Sequence, residues 1–71
     1  MSQLFDDLGS NATEEASELI QALAKARHFG MESRDPTKVN SPTNREQIEI
    51  EAADTIAMID LMGEAGMIDR K

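Results

Sequence analysis

Four acidic residues of this 71-residue chain stand in two pairs whose spacing suits a hard cation. Glu15 and Glu18 are three positions apart, and so are Glu51 and Asp54. On an α-helix, residues three apart have Cβ atoms about 5–6 Å from each other, so each pair can share one ion. An all-oxygen donor set of this kind suits Mg²⁺ or Mn²⁺. Softer sites are excluded by composition: there is no cysteine and only one histidine, His28. A ferritin-like di-iron site would want Glu-x-x-His, and neither helical segment contains it. His28 is ten residues past Glu18 and about 80° from it round a helix, which makes it a poor co-ligand.

Two helices and one long connection must position these acids. The first helix is expected over about 11–29, with Asn11 as N-cap, Glu14 at N3, and Glu14 and Glu15 answering the positive end of the dipole. Residues 1–8 have the means to add one helical turn through Leu4, Phe5 and Leu8. Lys25, Arg27 and His28 suit the last turns, and Gly30 is a natural C′ residue. The segment GMESRDPTKVNSPT, 30–43, reads as loop, because Pro36 and Pro42 disfavour helix before them. A connection this long in so small a chain is usually either functional or disordered. Thr43 with Glu46 forms a capping box for the second helix, expected over about 44–65.

Placing the residues on helical wheels separates two kinds of acid. With Glu15 as reference, Ala12, Leu19, Ala22, Leu23 and Ala26 fall within about 80° of it. Glu18 lies roughly 60° to the other side, close to Ala22 and Phe29. With Glu51 as reference, Ile48, Thr55, Met58, Ile59 and Met62 fall within about 80°, and Asp54 lies about 60° away. Glu46, Glu49 and Asp60 project to the opposite side. Four acids therefore sit on or beside the faces that should pack. Buried unpaired carboxylates are costly and repel one another, so cationic side chains or metal ions must answer them. Lys25 lies near the edge shared by Glu14 and Glu18, whereas Arg27 lies toward the far apolar edge.

Charge and core size set further limits. Fourteen acidic side chains against seven basic ones give a formal charge of −7. Without a cluster of Lys and Arg, nucleic acid is not an expected partner. No apolar run approaches the ~20 residues of a membrane span. The opening MSQLFDDLGS lacks a basic n-region and an apolar h-region, so a secretory signal is not expected and the location expected is cytoplasmic. Twenty-eight positions are apolar, but nine of them are alanine, leaving 19 larger side chains. Chains this small usually need a disulfide, a metal or a partner, and cysteine is absent. Self-association, an oxygen-ligand metal, or both remain. The fold expected is all-α: a single domain over 1–71, a helical hairpin assembling as a homodimer or homotetramer into a four-helix bundle with the carboxylates inside.

The run Glu14-Glu15-Ala16-Ser17-Glu18-Leu19-Ile20, followed by Glu51-Ala52-Ala53-Asp54, resembles the EExxE…ExxD signature of the MazG-like, all-α nucleotide pyrophosphohydrolases. KARHFG and the NREQIEIEAAD lead-in are similar to small phage-type members of that family, and the likeness covers about Glu14 to Asp69. It implies Mg²⁺-dependent hydrolysis of a nucleoside triphosphate to the monophosphate and pyrophosphate, in a nucleotide-pool role. It also implies metal ligands at Glu15, Glu18, Glu51 and Asp54. Glu14 and Glu15 become the catalytic candidates, with Glu14 orienting or activating water. Two departures stand out: thirty-two residues separate Glu18 from Glu51, and little chain precedes the EExxE helix.

Substrate contacts are sparsely marked. Lys25, Arg27, Arg34, Lys38 and Arg45 are the candidate phosphate contacts, Lys25 and Arg27 first among them. Phe5, Phe29 and His28 are the rings able to stack on a base. The competing expectation is a non-catalytic acidic helical module, a truncated or degenerate relative whose apolar stripes engage a partner protein.

Overall fold

A computed structural model describes residues 3–70; residues 1, 2 and 71 lie outside this range. Two helices, α1 (Gln3–Phe29) and α2 (Asn44–Glu64), pack against each other as a hairpin. No strand forms among the described residues, and an isolated bridge pairs Arg34 with Thr43.

The start of α1 corrects the expected boundary. Asn11 is not an N-cap but lies inside a helix that begins at Gln3 and runs for 27 residues. Local contacts explain the extension. Gln3 donates a side-chain hydrogen bond to Asp7 at 2.8 Å, one turn on, and Asp6 suits the positive end of the dipole. The Thr13 hydroxyl donates back to the Gly9 carbonyl at 2.8 Å, so a residue that could have capped a new helix serves the existing one. The helix passes through Asn11 although Gly9 and Ser10 before it are weak helix formers.

The other boundaries follow the sequence closely. At the end of α1, Gly30 takes φ +100° and its N–H donates to Ala26 at 2.8 Å. Glycine adopts this left-handed conformation without a Cβ penalty. Thr43 caps α2: its hydroxyl accepts from the Glu46 N–H at 3.1 Å, while its own N–H donates to the Glu46 carboxylate at 2.9 Å. Past α2, Gly66 at φ +78° donates to Gly63, and Met67 donates to Met62. Those two bonds make a Schellman motif and satisfy carbonyls that the helix leaves open.

The connection is folded tightly against both helix ends. Asn44 N–H donates to Ser33 at 2.9 Å and Arg45 N–H to Met31 at 2.8 Å, so the first amides of α2 bond carbonyls just past α1. The Asn44 side chain reaches back to the Gly30 carbonyl at 2.8 Å. Arg34 clamps the turn by donating to the Ser41 carbonyl at 2.6 Å, and Asn40 takes a left-handed φ of 57° that asparagine tolerates well.

Between the helices the packing is thin. Ala22 and Ala26 are the buried apolar residues among those described, and no large side chain is fully buried. Further along, Ala12 and Ala16 of α1 face Met58 and Met62 of α2 around a shallow apolar groove of about 340 Å³. Ile20, Ile56 and Leu4 remain more than half exposed, so the hairpin leaves much of its apolar surface uncovered. No helix among the described residues is long and apolar enough to cross a membrane.

Candidate metal centre

The hairpin brings the two acidic motifs together. Because α1 and α2 run antiparallel, the middle of one meets the middle of the other, and Thr55 fixes the register there. Its hydroxyl lies 2.8 Å from the Glu51 carbonyl and 3.4 Å from the Glu15 carbonyl, touching both helices at the level of the acids. Glu15, Glu18 and Glu51 each place one carboxylate oxygen within 4.8 Å of the other two. Glu51 is buried, at 8% exposure, and Glu15 and Glu18 are half-buried.

The electrostatics of the cluster are those of acids with too little to balance them. Desolvation raises the pKa of Glu15 above its ordinary value, and the charges of Glu18, Asp54 and Glu14 raise it further. Glu51 is raised first by desolvation, then by a hydrogen bond shared with Glu18, then by the charges of Glu18, Asp54 and Glu15. Among the described residues no cation lies within 4.0 Å of these three carboxylates; the ion pairs involve Arg34, Lys38, Arg45 and Arg70 with other acids. One oxygen of Glu15, Oε2, is buried with no hydrogen-bond partner. A buried carboxylate oxygen without a donor costs free energy unless a cation meets it. Three clustered carboxylates with an orphaned oxygen fit a hard divalent ion.

The remaining candidates fall at different distances from this centre. Asp54 is exposed at its rim, outside the three-carboxylate set but near enough to act on Glu15 and Glu51. Glu14 is exposed beside Glu15 and contributes to its raised pKa. His28 stacks edge-on against Phe29, with ring centroids 4.6 Å apart.

A cleft of about 700 Å³ opens from the carboxylates toward the interhelical connection. Along α1 its wall follows one helical row, Glu18, Gln21, Lys25 and Phe29, in steps of three and four. Along α2 the row is Asn44, Gln47 and Glu51. Arg34, Asp35 and Lys38 come from the connection. Of the candidate phosphate contacts, Lys25, Arg34 and Lys38 line the cleft. Arg27 is exposed and does not, and Arg45 is held by Glu32 at 2.6 Å. Sequence reasoning did not single out Gln21, Asn44 or Gln47. Their signal was the same periodicity that placed the acids, carried one or two turns further: Gln21 follows Glu18 by three, and Gln47 precedes Glu51 by four.

Comparison of the chain with protein-family models, with curated proteins and with solved structures finds no significant match.

Proposed function

We propose that this chain is a Mg²⁺-dependent nucleoside triphosphate pyrophosphohydrolase, releasing a nucleoside monophosphate and pyrophosphate from an NTP or dNTP. The observation that carries the reading is the convergence of Glu15, Glu18 and Glu51 from two helices, with Glu15 Oε2 buried and unpartnered and with Glu18 and Glu51 lining a cleft that also holds Lys25. The resemblance of the EExxE and ExxD motifs to the MazG-like enzymes supplies the reaction.

In this reading Glu15, Glu18 and Glu51 hold the metal, with Asp54 joining from the rim. Bound there, Mg²⁺ would neutralise phosphate oxygens and make a water more acidic. Hydrolysis adds a water to the α-phosphorus and breaks its bond to the α–β bridging oxygen, which leaves with pyrophosphate. Glu14, exposed next to the cluster and outside the ligand set, accepts the water's proton. Lys25 meets the phosphate chain along the cleft. Arg27 lies outside the cleft and takes no part in this reading. The exposed Ile20 and Ile56 support an assembly of two or four chains into a four-helix bundle.

Incubating the pure protein with a panel of NTPs and dNTPs plus Mg²⁺, and assaying pyrophosphate, tests the activity. Full turnover in Glu15→Ala or Glu51→Ala would sink the assignment. The same exposed apolar residues favour a second reading, a non-catalytic acidic helical module that docks a partner protein. That reading expects no pyrophosphate release and no response of the fold to Mg²⁺.

A further inference from the structure

The connection between the helices does more than join them: it carries charge to the cleft wall. Lys38 Nζ lies 3.9 Å from Asp35 Oδ2. Lys25, from α1, lines the same cleft and acts on the same carboxylate through space. The two oxygens of Asp35 have separate duties. Oδ1 closes the turn, accepting from the Thr37 N–H at 2.9 Å and the Thr37 hydroxyl at 2.6 Å. Oδ2 is left to face the cation. The turn itself is anchored, because the buried Ser41 donates its hydroxyl to the Asp35 carbonyl at 3.2 Å and accepts Arg34 on its own carbonyl. Lys38 is therefore rooted in ordered backbone, although its side chain is exposed.

We propose that Lys25 and Lys38 form a subsite for the polyphosphate chain of the substrate, and that Asp35 Oδ2 acts as an internal competitor that the phosphates displace. The subsite rests on the nucleotide reading for the identity of its anion, and is independent of the metal. A polyphosphate carries more charge and more acceptor oxygens than one carboxylate oxygen, so it displaces Asp35 from Lys38 and meets Lys25 in the same cleft. Position agrees with this. Lys25 lies seven residues from Glu18 on one helical row, about 10 Å along the axis, so one extended phosphate chain can meet both ends. The hydrogen bonds from Thr37, which hold the Asp35 carboxyl below its usual range, keep it charged and able to compete.

The test is calorimetric titration of the full chain with inorganic tripolyphosphate and, separately, with a nucleoside triphosphate, each in chelator and in Mg²⁺. Lys25→Met and Lys38→Met should each weaken tripolyphosphate binding about two- to fivefold, the range of one lost exposed ion pair. Asp35→Asn keeps an oxygen for Thr37 and removes the charge, so it should tighten binding by a similar factor. Wild-type protein that ignores tripolyphosphate overturns the subsite, as do lysine variants that bind like wild type, or Asp35→Asn without tighter binding. Should Asp35→Asn fail to fold, the two lysine variants decide alone. Affinity for the nucleoside triphosphate without affinity for tripolyphosphate places recognition on the nucleoside and also overturns it. Lysine-dependent binding in a protein that shows no Mg²⁺ response supports the subsite while removing the metal reading, so the two failures are distinguishable.

Discussion

Glu51 of α2 meets Glu18 of α1 so closely that a carboxylate oxygen of each lies within 4.8 Å of the other. Two ionised carboxylates at this distance repel, since neither has a proton to donate. A proton or a cation between them relieves that repulsion. Repulsion relieved either by protonation or by metal gives the centre a distinctive set of responses.

Glu51→Gln should stabilise the metal-free protein, raising its melting midpoint by several degrees in chelator. Glutamine keeps the shape and supplies an amide donor to Glu18, while removing a buried charge. The same variant should lose any Mg²⁺-dependent rise. A lower midpoint in chelator would mean that the carboxylate is satisfied within the fold.

The pH dependence of the metal-free protein follows from the raised acids. Glu15 and Glu51 titrate above the ordinary 4.5 in the native state. Between 4.5 and the raised values the native chain holds protons that the unfolded chain has released, so stability falls as pH rises through that interval. Glu46 and Asp35 work in the opposite sense: both are lowered, chiefly by hydrogen bonds from Thr43 and Thr37, and their contribution is lost as pH falls below their ordinary values of 4.5 and 3.8. Melts by circular dichroism in chelator should show the midpoint rising as pH drops toward about 4.5 from above, then falling below about 4. A midpoint that only declines on acidification contradicts the strained cluster.

Gly9 lies in the interior of α1 with open space around the position a Cβ would take. Gly9→Ala should stabilise the protein by about 0.5–1 kcal/mol, measured by urea unfolding. Were the helix to begin at Asn11, the substitution would fall outside it and change little.

Thr43→Ala removes the hydroxyl that accepts the Glu46 N–H and should cost about 1 kcal/mol. In a chain of this size that is a fall of roughly 4–8 °C in midpoint. Thr43→Ser should retain most of the stability.

These positions also show what the sequence made legible. Gly30 and the Thr43–Glu46 box were readable because each is a local backbone problem solved within a few residues. Ala22 and Ala26 on the packing face, with Glu51 buried among apolar neighbours, were readable because helical periodicity fixes direction. The start of α1 was not, since Asn11 carries a valid capping signal and the outcome turned on how the preceding residues weighed against it. Asp54 shares a helical row with Glu51, yet only Glu51 turns inward. That difference depends on where α1 crosses α2, which no local pattern encodes. The order of the 30–43 connection depended likewise on bonds between its two ends, such as Arg45 to Met31 and Asn44 to Gly30.

The most direct test of the metal centre is the melting midpoint of the full chain across a series of Mg²⁺ and Mn²⁺ concentrations at neutral pH, beside Glu51→Gln. A cation held by Glu15, Glu18 and Glu51 in the native state raises the midpoint progressively with concentration, by about 2.7 kcal/mol of stabilisation at a hundredfold excess over Kd, and leaves the variant flat. A wild-type midpoint that stays fixed across both series, or one that rises equally in Glu51→Gln, contradicts it.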